Sequence, residues 1–394
     1  MQISNAIVVG GGIGGLAAAT ALAQRGVAVT LLEQAPAFGE VGAGLQVSPN
    51  GLAVLRALQL ETQLRERGAV RAEAVVLQDG LTGREVTRLR IGALRPKQGY
   101  LFMHRVDLVQ VLAAAARRAN VTVETGAQVA SIRPGPLPQV QMVDGSTRRA
   151  ELVVAADGIH SVARPVLNGP DRAVFSGQVA WRGIVPNRWD HPAEARVAMG
   201  PGRHLVSYPV RGGRLVNLVA VEEREGWAAE GWNHADDPAA LRRAFSGFGG
   251  EVPEMLEAVE AVTLWGLHLH PVAGVWQREG VALIGDAAHP TLPFLAQGAN
   301  MALEDAWVLA RLAAEGAPDW QARYQAARIG RVRRVIRAAE RNAWRYHLRP
   351  GILRTAGHLG LRLAGQVAPG RMVAGFDWLY GHDVTAHPSS GRLR

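Results

Sequence analysis

The sequence predicts an α/β fold in which a discontinuous Rossmann-like domain carries an inserted antiparallel-sheet domain and ends in a C-terminal helical segment. Apolar runs alternate with helix-forming stretches towards both ends of the chain, and a meander of short strand-like runs lies between them. Three short segments rich in glycine or aspartate also follow apolar runs. A chain of 394 residues with 48% hydrophobic content is long enough to build two domains around one cleft.

The alternation of these patterns sets the domain boundaries. The Rossmann-like domain is predicted to comprise residues 1–70, 97–172 and 273–345. The inserted domain is predicted at 71–96 and 173–272, and the C-terminal helical segment at 346–394. The strands expected from period-two or apolar patterns are 6–9, 27–32, 74–89, 100–108, 152–156, 178–185, 203–209, 215–221 and 281–284. The helices expected from helix-forming stretches include 16–25, 109–118 and 352–367.

The first glycine segment lies between an apolar run and a helix-forming stretch and reads Gly10-Gly11-Gly12-Ile13-Gly14-Gly15. Gly10 permits the tight turn, Gly12 lets the backbone approach a pyrophosphate, and Gly15 lets the helix pack closely on the strand. The phosphates then lie at the helix N-terminus. The next strand leads to Glu33, roughly twenty residues past the glycines, where a carboxylate accepts the ribose hydroxyls. This fingerprint fits FAD and NAD equally.

The second and third segments place aspartates at the ends of two further strands. Asp157 and Gly158 open a DGxxSxxR pattern that ends at Arg164, and this pattern can organise amides and a guanidinium around pyrophosphate. Asp286 follows Gly285 and is suited to bind a ribityl hydroxyl. A helix then opens at 298–300, and its free amides and dipole would stabilise negative charge near N1 and the C2 carbonyl of a reduced flavin.

Taken together, the three segments resemble the class A FAD-dependent aromatic monooxygenases. These are related to para-hydroxybenzoate hydroxylase, and the chain is more similar to the salicylate, 3-hydroxybenzoate and 6-hydroxynicotinate hydroxylases. The resemblance covers the whole chain, including the ending Phe376-Asp377-Trp378-Leu379-Tyr380. It implies a GR2-type FAD domain, reduction of FAD by NADH or NADPH, and addition of O2 at flavin C4a to give a hydroperoxide. The implied product is a hydroxylated small phenolic or hydroxypyridine acid, with or without decarboxylation.

The resemblance also implies which residues hold the cofactor. Arg105 would reach the FAD phosphates, Asp157 would serve FAD and the passing nicotinamide nucleotide, and the loop 39–46 would let the flavin swing between two positions. An ordinary strand-to-helix connection is the alternative for that loop. The complete set expected to bind FAD is Gly10, Gly12, Ile13, Gly14, Gly15, Glu33, Gln34, Val41, Ala43, Arg105, Val129, Asp157, Gly158, Arg164, Gly285, Asp286, Gly298, Ala299 and Asn300.

The candidate catalytic residues are His204, Tyr208 and Pro293. The first two are four residues apart on a predicted strand and therefore face the same side. They match the histidine and tyrosine that contact the substrate hydroxyl in 3-hydroxybenzoate and 6-hydroxynicotinate hydroxylases. A ring becomes reactive when its hydroxyl is partly deprotonated, so a polar group that favours the phenolate is needed. For His204 the alternative is a polar residue with only a structural role.

Pro293 matches the active-site proline of the family, whose carbonyl lies near the oxygenated flavin. It replaces the glutamine associated with 3-hydroxybenzoate hydroxylases, and Phe294 replaces a histidine of the 6-hydroxynicotinate enzymes, so neither substrate is assigned. Gln46 and Arg182 are the candidates for contacting a substrate carboxylate or ring nitrogen, and Phe294 is the third residue expected at the substrate site. A structural ion pair is the alternative for the arginine.

Composition excludes several other chemistries. There is no cysteine, which rules out disulfides, thiolate catalysis and cysteine-ligated metals. The histidines show no HxxxH or HExxH pattern and GxSxG is absent, so neither a metal site nor a serine hydrolase is expected. No signal peptide or apolar stretch of roughly eighteen residues is present, so a cytoplasmic protein without a membrane span is expected.

The net charge of +9 is carried by arginine, since Lys97 is the only lysine. The densest run is predicted on one helix starting near Tyr324 and comprises Arg328, Arg331, Arg333, Arg334, Arg337, Arg341 and Arg345. The run lacks interleaved aromatics, which favours a solvated or interface face over a nucleic-acid site. An attraction for anionic aromatic acids or for NADH phosphates stays open.

Several alternatives remain at this level. An FAD-dependent epoxidase or a urate-like N-heterocycle hydroxylase would use the same cofactor half, and a flavin-binding protein without enzymatic activity is a remote alternative. The C-terminal piece, residues 350–394, contains the helix-like stretch 352–367 and is expected to dock on the FAD domain or on a second subunit, so a monomer and a homodimer both fit. The sequence does not distinguish NADH from NADPH.

Overall fold

The computed structural model describes residues 3–39, 43–226 and 234–386. The strands are β1 (Asn5–Val9), β2 (Ala28–Glu33), β3 (Gly44–Val47), β4 (Val70–Arg71), β5 (Ala74–Asp79), β6 (Glu85–Leu89), β7 (Leu101–His104), β8 (Thr122–Thr125), β9 (Val129–Arg133), β10 (Gln139–Met142), β11 (Thr147–Arg149), β12 (Leu152–Ala155), β13 (Val174–Pro186), β14 (Glu194–Gly200), β15 (Arg203–Val210), β16 (Leu215–Glu223), β17 (His234–Asp236), β18 (Val262–Leu269), β19 (Gln277–Arg278) and β20 (Val281–Leu283). The α-helices are α1 (Ile13–Ala23), α2 (Pro49–Ala57), α3 (Glu61–Glu66), α4 (Ile91–Leu94), α5 (Arg105–Arg118), α6 (Ala163–Asn168), α7 (Pro238–Ala244), α8 (Val252–Glu257), α9 (Gly298–Glu315), α10 (Trp320–Tyr346), α11 (Ile352–Val367), α12 (Pro369–Ala374) and α13 (Asp377–Tyr380). Short 3-10 turns cover Gly158–His160, Gly285–Ala287 and Pro293–Leu295.

The predicted α/β fold class is confirmed, and its centre is a six-stranded sheet in the order β19-β20-β12-β1-β2-β8. All neighbours pair in parallel except the edge strand β19. The strands β1, β12 and β20 are almost wholly apolar and buried, as parallel strands covered on both faces require. The parallel strand expected at 281–284 is β20, which pairs with β12.

The second large sheet has eight strands in the order β17-β18-β13-β16-β15-β14-β5-β6. Its strands come from the two segments 74–89 and 174–269, which lie within the ranges predicted for the inserted domain. The prediction of an antiparallel sheet holds for every neighbouring pair except β14 with β5, which is parallel. No hairpin joins these two strands, and therefore no tight turn imposes the antiparallel direction. Helices α7 and α8 cover one face over a core that includes Trp181 and Phe245.

The predicted boundary between the strand at 100–108 and the following helix is wrong. β7 ends at His104 and α5 begins at Arg105. The His104 ring accepts a hydrogen bond from the Val106 amide at 3.3 Å and so caps the helix. Val106 and Leu108, whose apolar character suggested a longer strand, lie on the buried face of the first helical turns.

The arginine-rich helix is α10, and its expected solvated face is corrected at two positions. Arg328 is 1% exposed and pairs with Glu304 at 2.6 Å and Asp305 at 2.7 Å. Arg331 pairs with Glu304 at 2.8 Å and donates to the carbonyls of residues 378 and 379. A guanidinium can be buried here because adjacent carboxylates on α9 neutralise it. The spacing of the arginines alone does not show that Glu304 and Asp305 of α9 will lie beside them.

The C-terminal helix α11 has the predicted bounds but packs on β6 of the eight-stranded sheet. Arg354 anchors it through an ion pair with Asp79 at 3.0 Å, and Arg362 donates to the carbonyl of Glu85 at 3.3 Å. Helix α11 therefore packs on the inserted sheet, whereas Leu379 of α13 belongs to the core of the Rossmann-like domain, so the expected docking on the FAD domain holds for the end of the C-terminal piece and not for α11. Docking on a second subunit stays a prediction. No helix among the described residues combines the length and apolar character needed to cross a membrane.

Candidate active site

One continuous cavity of about 1120 Å³ extends from the glycine segment after β1 to the inner face of the eight-stranded sheet. Gly12 and Gly14 line one end, and His204 and Tyr208 line the other. Ala43, the residue before β3, and Gly298 and Ala299 at the start of α9 also line the cavity. Such a shape suits an elongated dinucleotide with a second, smaller molecule at its far end.

The glycines of the first segment have three different surroundings. A Cβ on Gly15 would lie 1.9 Å from the Gly10 carbonyl oxygen, so this glycine is needed for α1 to pack on β1. Gly10 has a φ of +101°, which favours glycine. A Cβ on Gly12 would meet nothing within 4 Å, although Gly12 lines the cavity. This free space at the start of α1 fits a pyrophosphate.

Glu33 ends β2 beside this cradle. Its carboxylate accepts hydrogen bonds from the amides of Gly11 at 2.6 Å and Ala35 at 2.8 Å. Those amides orient the carboxylate, which still has lone pairs for ribose hydroxyls. Gln34 is exposed beside it, and Val129 begins β9 but does not line the cavity. Val41, the remaining prediction in this part of the site, lies outside the described residues.

Asp157 carries an unpaired acceptor that fits a bound ligand. Its Oδ2 accepts from the Val162 amide at 2.8 Å, whereas its Oδ1 is buried without a hydrogen-bond partner among the described residues. Burial raises the pKa of this carboxyl. Gly158, with a φ of +76°, lines the cavity next to it. A buried oxygen of this kind needs a donor, and a nucleotide hydroxyl could supply one.

Asp286 and the start of α9 lie at the middle of the cavity. Burial raises the pKa of Asp286, while the charges of His289 and Arg105 oppose this shift. Arg105, at the first position of α5, also lines the cavity. Gly298 and Ala299 open the 18-residue helix α9, which has no acidic residue in its first turn. Its amide dipoles therefore point positive charge at the middle of the cavity.

A buried ionic network holds the turn that carries Asp286. Asp305 accepts from the Gly285 amide at 3.0 Å and from His289 Nε2 at 2.5 Å, and it pairs with Arg328. Burial alone would raise the pKa of Asp305, but the charges of His289 and Arg328 lower it to about 2. No sequence motif predicted this network, since the partners of Asp305 lie 16 to 23 residues away from it along the chain.

Two predicted FAD ligands have side chains engaged in other contacts. The Arg164 guanidinium is buried and donates to Asp171 at 2.7 Å and to the carbonyls of Ala287 and Ala288. Asn300 donates to the Gln46 carbonyl at 3.0 Å and accepts from the Ser48 amide at 3.0 Å. The prediction that the Arg164 side chain surrounds pyrophosphate is corrected, because its donors instead tie two parts of the Rossmann-like domain together.

The far end of the cavity gathers the predicted substrate residues. His204 and Tyr208 lie on β15 and both line the cavity, as their spacing predicts. Burial lowers the pKa of His204 well below its usual value and raises the pKa of Tyr208. Pro293 and Phe294 lie in a 3-10 turn opposite them, with the Phe294 ring 5.9 Å from the His204 ring.

The two predicted carboxylate-binding residues also line this end. The Arg182 guanidinium lies 4.2 Å above the Trp265 ring, and burial lowers its pKa to about 10. It therefore remains a cation at neutral pH. Gln46 accepts a hydrogen bond from the Tyr100 hydroxyl at 2.7 Å.

The C-terminal segment completes the cavity wall, which the sequence reasoning did not foresee. Leu361 of α11 and four side chains that follow it line the far end of the cavity, namely Met372, Val373, Phe376 and Tyr380. Tyr346, the last residue of α10, joins them. The aromatic residues at 376–380 indicated a buried segment, but their sequence did not indicate which part of the fold it would pack against.

Comparison with known proteins agrees with this geometry. The family described as FAD binding domain matches residues 4–339. A 3-amino-4-hydroxybenzoate 2-monooxygenase, PtnB3 of Streptomyces platensis, is 35% identical over 391 residues, which is 96% of each chain. A 3-hydroxybenzoate 6-hydroxylase of Klebsiella oxytoca is 33% identical and covers 96% of this chain and 97% of its own. A crystal structure of Klebsiella pneumoniae HpxO complexed with FAD and uric acid superposes with a TM-score of 0.83 at 26% identity, over 94% and 95% of the two chains.

Proposed function

Because the chain belongs to the FAD binding domain family and is an FAD-dependent monooxygenase, we propose that it hydroxylates a small aromatic acid bearing a ring hydroxyl. NADH or NADPH is the reductant, and one atom of O2 enters the ring. The bound flavin supplies the redox chemistry, since it accepts hydride and activates oxygen. The other steps belong to the side chains around the substrate.

The observation that supports this substrate class is that one cationic side chain and two hydrogen-bonding side chains line the far end of the cavity. Arg182 offers a permanent cation, while His204 and Tyr208 offer a base and a hydroxyl on the same sheet. In a hydroxylated aromatic acid, the carboxylate would pair with Arg182 and the ring hydroxyl would hydrogen-bond to His204 and Tyr208. The aliphatic side chains of Val219, Leu292 and Met372 would contact the ring between them.

Arg182 is proposed to bind the substrate carboxylate. Its guanidinium stacks on Trp265, which fixes the plane of the donors and leaves little rotamer entropy to lose on binding. A carboxylate that enters the cavity could accept charge-assisted hydrogen bonds from this guanidinium. The carboxylate would thereby orient the ring relative to the flavin.

His204 is proposed to accept the hydroxyl proton, and Tyr208 to donate a hydrogen bond to the resulting phenolate. The lowered pKa of His204 keeps its ring neutral and able to act as a base. The raised pKa of Tyr208 keeps its hydroxyl protonated and able to donate. A phenolate is a stronger nucleophile than a phenol, so this pair would favour attack on the activated oxygen.

A urate-like N-heterocycle is the second candidate substrate. It is favoured by the structural likeness to HpxO, whose crystal structure contains uric acid. An acidic ring N–H would replace the phenol, and Arg182 would then contact an anionic ring instead of a carboxylate. The benzoate and nicotinate hydroxylases among the curated relatives favour the aromatic acid over this alternative.

A substrate screen tests the proposal. Purified holoenzyme is incubated with NADH or NADPH and with hydroxybenzoates, aminohydroxybenzoates, hydroxynicotinates or urate. The expected result is that one aromatic acid accelerates NAD(P)H consumption and gives a product that incorporates one atom from 18O2. If urate alone is oxygenated, the second candidate is correct, and if no compound is oxygenated the proposed function is wrong.

A further inference from the structure

A chain of hydrogen bonds leads from the substrate end of the cavity to the protein surface. His204 lines the cavity, and its Nδ1 lies 2.7 Å from Nε2 of His347. Nδ1 of His347 lies 2.8 Å from Oε1 of Glu223. Both histidines are buried, whereas the Glu223 side chain is 46% exposed and lines a second cleft at the surface. Three separate parts of the chain thus build one connected path.

The Glu223 carboxylate determines which nitrogen of His347 and of His204 carries a proton. A carboxylate only accepts, so Nδ1 of His347 must carry the proton of that hydrogen bond. In a neutral His347 the Nε2 is then an acceptor, and Nδ1 of His204 must carry the proton of the second bond. A neutral His204 therefore has an unprotonated Nε2. The hydrogen bonds therefore leave Nε2 of His204 able to accept a proton.

The surroundings keep both histidines neutral. Burial is the largest cause that lowers the pKa of each, and the second histidine adds to this effect at His204. Arg203 of β15 also lowers the pKa of His347, while Glu223 of β16 opposes it. Besides His347, the rings of Tyr346 and Phe294 also lie beside His204, with centroids at 5.2 and 5.9 Å.

We propose that His204, His347 and Glu223 form a proton relay that carries the substrate hydroxyl proton from the cavity to bulk water. This inference rests on the proposed function, because it requires a substrate with an ionisable ring hydroxyl. His347 is a positioning residue in this scheme, since it acts only through His204.

The transfer balances at each atom. The substrate O–H bond breaks, its electron pair stays on oxygen, and the proton binds Nε2 of His204. The proton on Nδ1 of His204 passes to Nε2 of His347, and the proton on Nδ1 of His347 passes to Glu223, which releases it to water. When the product hydroxyl takes a proton back from His204, the transfers reverse and the starting tautomers return.

The relay is tested first by its tautomers. In oxidised, FAD-bound protein labelled with 15N-histidine, the ring resonances of His204 and His347 are assigned with the His204→Gln and His347→Gln variants. Both rings should be neutral with the proton on Nδ1. A proton on Nε2 of either ring in the ligand-free protein would overturn the proposal.

The second test follows the proton directly. A stimulating acid from the substrate screen is mixed with oxidised holoenzyme in weak buffer containing a pH indicator, so that proton release on binding is measured without turnover. His347→Gln keeps a donor and an acceptor but cannot relay a proton, and it should slow release about 10-fold or more. Glu223→Gln, a surface change, should slow release as well and serves if His347→Gln does not fold.

Two matched variants serve as controls for these changes. His191→Gln replaces another buried histidine, which bonds Ser207 at 2.9 Å and does not line the cavity. Glu225→Gln replaces an exposed neighbour of Glu223. Both should release protons at the wild-type rate. Release at that rate from His347→Gln or Glu223→Gln would refute the relay while leaving the proposed function intact, whereas a screen without any oxygenated acid would refute the function itself.

Discussion

Replacing Arg182 by methionine should remove the anchor for the substrate carboxylate while keeping much of the side-chain volume. The guanidinium lies over Trp265 inside the cavity, away from bulk water. Removing one partner of a buried charge pair costs about 3 kcal/mol or more. Since about 1.4 kcal/mol corresponds to a tenfold change in affinity, the dissociation constant for the acid should rise about 100-fold.

The assay compares two ligands and two variants. Binding of the acid and of its primary amide to oxidised holoenzyme is followed through the flavin absorbance. Arg182→Met should weaken the acid about 100-fold and the amide far less, because the amide carries no charge. Arg224→Met is the control, since Arg224 also stacks on a tryptophan of the same sheet, 5.2 Å from the Trp181 ring, but does not line the cavity. Equal losses for acid and amide would refute the proposed role of Arg182.

Three further predictions concern the cofactor site, the reaction and the fold. Gly12→Ala should lower FAD affinity by about tenfold or more, because its new Cβ enters the space left for pyrophosphate, without lowering the Tm of the apoprotein; Gly15→Ala should prevent folding, since its Cβ would lie 1.9 Å from a backbone oxygen. Tyr208→Phe should retain FAD but lower coupled hydroxylation about 100-fold, measured as product formed per NAD(P)H consumed. Asp305→Asn should destabilise the fold by about 3–5 kcal/mol in urea unfolding. It should also abolish the stability that the wild type loses as the pH falls from about 4 towards 2, because the folded-state pKa of Asp305 is lowered to about 2.

Each of these predictions has an outcome that would contradict it. Normal FAD retention in Gly12→Ala would move the phosphates away from the start of α1. Unchanged product yield in Tyr208→Phe would remove that hydroxyl from the reaction. A wild-type acid profile in Asp305→Asn would mean that another carboxyl causes the loss of stability between pH 4 and pH 2.

The cofactor half was largely predictable because its determinants are local. Gly10 to Gly15, Glu33 and the Gly285-Asp286 pair each follow an apolar strand, and parallel strands bring their carboxyl ends to one edge of the sheet. The spacing of His204 and Tyr208 on one strand likewise predicted a shared face.

The remaining features depend on contacts between distant parts of the chain. His347 lies 143 residues from His204, and nothing in its own neighbourhood indicates that its ring will complete a hydrogen-bond path. An arginine side chain can bind a phosphate or be exposed to solvent, and the sequence does not distinguish these roles. In the fold Arg164 and Arg328 do neither, because each is buried beside an acidic partner. Local pattern also misplaced the start of α5, because the His104 cap overrides an apolar run.

The contacts of Arg331 bear on how this protein would select among related aromatic acids. One guanidinium binds Glu304 of α9 and the carbonyls of residues 378 and 379, so the C-terminal wall of the cavity is held to the helix whose N-terminus lines the same cavity. Hydrogen bonds to a charged group contribute about 1.5–3 kcal/mol each. A ligand too large for the cavity would have to displace this wall, and we expect these hydrogen bonds to oppose that movement.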